Sequence, residues 1–258
     1  MLINSVILIL REVLEAAMLI SVLLAMSSIL HHGVRWIWWS IAFGGVGAVL
    51  FASTLDLITD LLDGAGQEVA NAGLQGLVYC LAVVIVALGV NGGGQRAMSV
   101  FMASAVACAL IREGSEILVY IGGYAAIAEY RNAVYAGGAI GAGIGISLGI
   151  LLFSSLRALN PTRGHNTCLI LVALIGAGMV MQATMLLEQV DWLPSGKALW
   201  DSSVLISEQS IPGELLYAVF GYESTPSPVQ ATLYSLSLAV MIAAYFLAKP
   251  GRFTSYDK

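Results

Sequence analysis

Apolar residues run through this chain in long blocks, interrupted by short polar breaks, with neither the alternation of a half-buried strand nor the narrow stripe of a soluble amphipathic helix. A bilayer-spanning helix needs about 20 mostly apolar residues. Seven segments meet that requirement: 2–30, 34–54, 70–91, 97–127, 132–156, 166–189 and 228–248. The fourth is longer than a span requires, so it either ends at Gly122-Gly123 or tilts. Trp36, Trp38 and Trp39 open the second segment and read as an interfacial anchor. Between the sixth and seventh segments, IPGELLYAVFGY at 211–222 predicts a short amphipathic helix, with Pro212 suited to its start. Its expected place is against its own bundle; the alternative is the outer surface, as a dock for a donor protein.

Composition agrees with that pattern. The chain is 59% hydrophobic and 10% charged, whereas soluble domains are about 25% charged. A protein of this kind is integral to a membrane, and no nucleic-acid partner is expected. The first apolar segment is too long for a cleavable signal peptide and carries Arg11, Glu12 and Glu15. Cys80, Cys108 and Cys168 all fall in apolar runs and predict helix packing rather than disulfides.

Charge assigns the sides. Loops 31–35, 92–96 and 157–165 and the C-terminal tail hold Arg35, Arg96, Arg157, Arg163, Lys249, Arg252 and Lys258, seven of the eleven Lys and Arg. The opposite side holds only Arg131 and Lys197. The positive-inside rule makes the first side cytoplasmic, with the N-terminus outside and the C-terminus inside. Eleven of the sixteen acidic residues lie on or near the outer side, Asp56, Asp60, Glu68 and Glu129 among them. They read either as ordinary solvated loops or as a face that concentrates cations.

The segments LILREVLEAAM (8–18) and LIREGSEILVY (110–120) each place an arginine and two glutamates inside an apolar helix. Their arginines are 101 residues apart, and that offset lays helices one to three on four to six. Three helices per copy make the copies enter the membrane in opposite directions. The expected fold is therefore an all-α integral membrane protein of seven transmembrane helices, a 3+3 inverted-topology repeat plus a seventh helix. It forms one membrane domain over 1–258, with repeat one at 1–92, repeat two at 97–189, an outer loop at 190–227 and the seventh helix at 228–248. Gly137, Gly141, Gly145 and Gly149 fall on one face of the fifth helix and allow close packing; Gly44, Gly45, Gly47 and Ala48 do so more weakly in the second. The loop NGGGQR at 91–96 reads as a flexible turn, since nothing follows it in the order a phosphate-binding loop requires.

A charged residue at the centre of a spanning helix costs about 2.5–3.5 kcal/mol on insertion scales. Within each motif the charges are i, i+3 and i, i+4 neighbours and share a face. A staple between helices accounts for one arginine and one glutamate per copy. It leaves four carboxylates against two guanidiniums, an excess that needs protons or a cation. Clustered carboxylate oxygens suit hard ions such as Mg²⁺, Ca²⁺, Mn²⁺ and Fe³⁺. Glu12, Glu15, Glu113 and Glu116 are thus the candidate metal ligands, with Arg11 and Arg112 supporting them. The histidines, His31, His32 and His165, sit at helix ends. Met179, Met181 and Met185 read as core, while Gln182 among them, an amide in a span, is a candidate accessory ligand. Three functions fit these residues: a permease for a hard cation such as iron, a carrier for another divalent cation such as manganese, or an intramembrane metal-dependent hydrolase. The last would ordinarily need histidine ligands.

R-E-x-x-E in the first and fourth of seven helices resembles the oxidase-dependent iron transporter family, which includes the fungal high-affinity iron permeases and their bacterial counterparts. REGSE at 112–116 fits the family's R-E-G-x-E fully, and REVLE at 11–15 departs at Val13, where the family has glycine. The segment 199–234 also resembles the family's last loop and seventh helix. The resemblance implies a non-enzymatic, multi-pass permease of the plasma membrane, in a bacterium the inner membrane, importing ferric iron. It implies iron ions as the transported substrate with no permanently bound cofactor, and an extracytoplasmic ferroxidase or iron-delivery protein as partner. It also implies acidic residues in the last outer loop, for which Asp201 and Glu208 are the nearest counterparts.

Overall fold

The computed structural model describes residues 1–92, 94–207 and 210–249; Glu208, Arg252 and Lys258 lie outside the described residues. Eight helices make up its regular structure: α1 (Leu2–Ile29), α2 (Trp36–Leu61), α3 (Gly66–Asn91), α4 (Gln95–Ala125), α5 (Ala128–Ala158), α6 (Pro161–Gln189), α7 (Ile211–Phe220) and α8 (Pro228–Ala248). Proline stands in the first turn of α6, α7 and α8, where its missing N–H would have had no helical partner. Gly92 and Gly221 end α3 and α7 in the left-handed conformation, at φ 66° and 65°.

Six of these helices, α2, α3, α4, α5, α6 and α8, are long and apolar enough to cross a membrane. Helix α1 is as long, at 28 residues, but carries Arg11, Glu12 and Glu15 in its middle. Large apolar side chains stand on the outside, including Trp39, Phe43, Val46 and Leu50 on α2 and Ile140, Ile144 and Leu151 on α5. Continuous apolar surface of this kind belongs against lipid. The protein is an α-helical, multi-pass membrane protein.

Several helices outrun the apolar runs that announce them, while α1 and α4 stop one and two residues short at their C-terminal ends and α8 coincides with its run. Helix α2 continues to Leu61 and takes in Asp56 and Asp60; α5 begins at Ala128, and α4 passes Gly122-Gly123 to end at Ala125. Main-chain hydrogen bonding does not stop where hydropathy does.

Helix α1 lies most extensively against α5, α4 against α2, and α3 against α6. Exchanging the first three helices for the next three in order maps this set of contacts onto itself. The α1–α5 seam is a glycine seam. A Cβ on Gly141 would sit 2.5 Å from the Val6 carbonyl oxygen, and one on Gly145 would sit 2.8 Å from Val13 Cγ1. At the equivalent α2–α4 seam a Cβ on Gly114 would sit 2.9 Å from Ala48 Cβ. So Val13, the departure from R-E-G-x-E, is matched by a glycine on the facing helix.

A buried cluster that includes Leu23, Met26, Ile85, Met102 and Val172 joins α1, α3, α4 and α6. Helix α7 packs on the bundle against α1 and α6, with Ala218 and Val219 on Leu14. Gly178 admits it, since a Cβ there would be 2.8 Å from the Phe220 carbonyl carbon.

Candidate metal centre

Helices α1 and α4 run antiparallel. Ser5 meets Tyr120 (2.8 Å between hydroxyls) while Glu15 meets Arg112, so one number rises as the other falls. This crossing brings the two R-E-x-x-E motifs face to face.

Glu12, Glu15 and Glu113 come together at the crossing. Each offers a carboxylate oxygen, and these three atoms lie within 4.8 Å of one another. All three residues are at most 2% exposed. Arg112 donates from one guanidinium nitrogen to Glu15 Oε2 at 2.9 Å and to Glu113 Oε1. Arg11 donates from Nε and a terminal nitrogen to Glu12 Oε1, at 3.0 and 2.7 Å. Each glutamate is thereby held by one oxygen. Its other oxygen, Glu12 Oε2, Glu15 Oε1 or Glu113 Oε2, is buried without a hydrogen-bond partner.

A buried carboxylate oxygen without a donor is costly. Three carboxylates that each keep such an oxygen, and that approach one another within 4.8 Å, form an acceptor set that a hard cation fits. The donors are all oxygens and all anionic, so the set favours charge and hardness over softness.

The fourth glutamate stands apart. Glu116 is held by Asn71, whose Nδ2 donates to its Oε1 at 3.0 Å, with Arg112 Nε 3.6 Å from the same oxygen. Its side chain is 23% exposed. The two arginines also differ. Arg112 is buried and bridges Glu15, Glu113 and Glu116, while the Arg11 side chain is 39% exposed and serves Glu12. Arg11 borders a groove of about 390 Å³ with Leu10, Ile144, Leu148 and Leu215.

Gln182 is buried on α6 beside the site rather than within the glutamate cluster. Its Nε2 donates to the Tyr217 carbonyl at 3.4 Å, and its Oε1 accepts from Gln75 Nε2 at 2.7 Å. Asn71 and Gln75 are thus polar members of this region that the motif reading passed over. The signal was there, since both are amides in an apolar span, the same property that singles out Gln182.

Asp201 lies in the connection between α6 and α7, fully exposed and away from the cluster. Its Oδ1 accepts from the Ser203 N–H at 2.9 Å and the Ser203 hydroxyl at 2.5 Å. These bonds hold its carboxyl below the usual range. Main-chain bonds from Leu199 to Pro226 and from Ser202 to Ser224, both 2.9 Å, tie that connection to the start of α8.

Comparison with protein-family models, with curated proteins and with solved structures found no match to this chain.

Proposed function

We propose that the protein is an iron permease that passes its cargo through the glutamates at the α1–α4 crossing. The reading is carried by one observation: three buried glutamates from two helices each bring a carboxylate oxygen within 4.8 Å of the others, and each keeps an oxygen without a hydrogen-bond partner. Iron as the cargo comes from the resemblance of REVLE and REGSE to oxidase-dependent iron transporters. Carboxylate oxygens serve Fe³⁺, and they also serve Mn²⁺.

The proposed chain has seven spans, α1 included, with the Lys- and Arg-rich side in the cytoplasm of a bacterial cell. Its two three-helix repeats are inverted, which the antiparallel α1–α4 crossing and the exchangeable contact set support. Inverted repeats hold substrate where the copies meet, near the midplane. Glu116, partly exposed, stands at the approach, and an extracytoplasmic ferroxidase or iron-delivery protein would supply the ion. Arg112 holds Glu15 and Glu113 in place, and Arg11 holds Glu12. Together the arginines leave the empty centre less negative, so that it can release what it binds.

Reconstitution tests this directly. Wild-type protein in liposomes is expected to accumulate iron, and Glu12→Gln or Glu113→Gln to lower the initial rate by roughly a hundredfold, the loss of one charged ligand. Protons compete for the same oxygens, so uptake should also fall as the outer solution is acidified. Wild-type rates in either variant, with the protein folded in the membrane, would overturn the reading. Competition by a metal panel decides between iron and manganese.

A further inference from the structure

Two amides on α3 end in unpaired carbonyl oxygens, and their orientations are fixed by their neighbours. Asn71 is 3% exposed and Gln75 is fully buried. The Tyr217 carbonyl can only accept, so Gln182 must turn its NH₂ to it, at 3.4 Å. Gln182 Oε1 then faces Gln75 and takes its NH₂ at 2.7 Å. Glu116 Oε1, between Asn71 Nδ2 and Arg112 Nε, likewise receives the Asn71 NH₂ at 3.0 Å. Each of the three amide nitrogens donates one bond. Asn71 Oδ1 and Gln75 Oε1 are left over, buried and without a partner.

Residues 71 and 75 are i, i+4 and share one face of α3, about 6 Å apart along its axis. Helix α3 runs antiparallel to α4 through the short connection at 92–94, and Asn71 is level with Glu116. One turn further, Gln75 reaches the depth of Glu113. Asn71 is tied to the glutamate centre through Glu116, because Arg112 contacts Glu116 as well as Glu15 and Glu113; Gln75 is tied to Gln182 and through it to α7.

We propose that Asn71 and Gln75, with Glu116 at the rim, form a second cation station, a mostly neutral one, beside the three-glutamate centre. The inference rests on the permease reading and adds a step to it. Carbonyl oxygens can replace part of a cation's hydration shell without holding it as an anion would. Conduction needs sites that bind well enough to admit the ion and weakly enough to release it, and neighbouring sites that push one another's ions onward. A neutral station at the flank of an anionic one meets both needs. The ligand class is a hard, partly hydrated cation.

The test uses full-length protein in nanodiscs titrated with Mn²⁺ alone, and the same protein in liposomes for Mn²⁺ and iron uptake. Wild type is expected to show a strong Mn²⁺ binding event and a second, weaker one. N71L together with Q75L should remove the weaker event, keep the strong one and slow uptake by roughly tenfold or more, as lost bonds to a charged group would. E113Q should remove the strong event instead. Should the leucine pair not fold, Q75E alone keeps the oxygen and adds charge; it should tighten the weaker event and slow Mn²⁺ release. Wild-type transport together with unchanged binding and flux in the leucine pair, or in Q75E, overturns this inference only. Wild-type protein that neither binds nor moves a cation overturns the permease reading and this inference together.

Discussion

At the residue scale, Arg112 has the most partners to lose. Its guanidinium is buried against Glu15, Glu113 and Glu116. Removing one member of a buried ion pair costs about 3–5 kcal/mol, since the other is left uncompensated. Arg112→Gln should therefore destabilise the protein by about that much, and Arg11→Gln by less, because Arg11 is partly exposed and neutralises Glu12 alone. Thermal unfolding in detergent measures the difference. Added Mn²⁺ should raise the melting temperature of Arg112→Gln more than that of wild type, since a cation then supplies the missing charge. An equal shift in both proteins would mean that the ion does not reach these carboxylates. The glutamates were legible in the sequence because charge in an apolar helix has no cheap explanation. Their division of labour was not. Spacing makes Glu15 and Glu116 equivalent, and only the packing of α3 on α4 delivers Asn71 to one of them. Outside the spans, the Ser203 N–H and hydroxyl hold the Asp201 carboxyl below the usual range.

Elements are positioned by a few close approaches and caps. The α1–α5 seam requires glycine at 141, where a Cβ would meet the Val6 carbonyl oxygen at 2.5 Å and the Leu10 nitrogen at 2.9 Å. Main chain cannot rotate out of the way as a side chain can. Gly141→Ala is expected to cost about 1–3 kcal/mol. Gly143→Ala, one turn-half away with nothing within 4 Å, should be neutral or stabilise by up to about 1 kcal/mol through helix propensity. Equal melting temperatures for the two variants would remove the seam from the account of α1's placement. At the C-terminal end of α6, Glu188 accepts from the Ser227 hydroxyl at 2.6 Å and from Gln230 Nε2 at 2.5 Å, inside the capping box that starts α8. A carboxylate there meets the positive end of the helix as well as two donors. Glu188→Ala should loosen the α6–α8 joint by about 1–3 kcal/mol, seen as proteolysis between them before global melting. The four-residue glycine period announced the α5 seam. The Glu188 cap was illegible because its partners are 39 and 42 residues away.

At the scale of the molecule, a single arithmetic regularity, the 101-residue offset, gives each of the first six helices an equivalent, and the main contacts α1–α5, α2–α4 and α3–α6 are unchanged when equivalents trade places. It cannot anticipate that the glycine of one motif is replaced by glycine across the seam from Val13, since that exchange is visible only between helices. The regularity bears on energetics too. If inverted repeats carry the cargo past carboxylates that stay in the protein, the charge crossing the membrane is the cargo's own, less any protons sent the other way. A divalent ion crossing about 60 mV, inside negative, gains about 2.8 kcal/mol at 2.3 kcal/mol per charge per 100 mV, or roughly a hundredfold accumulation at equilibrium. Liposomes clamped with potassium and valinomycin should show that dependence for Mn²⁺. Exchange of two protons per ion would make accumulation independent of voltage and instead tie it to the pH gradient. Because glutamate oxygens bind either a cation or a proton, the slope of accumulation against potential counts the protons exchanged for each ion. A slope below two charges would assign the shortfall to proton return. If it disappears in Glu12→Gln or Glu113→Gln proteins that retain residual flux, the protons travel on those same carboxylates.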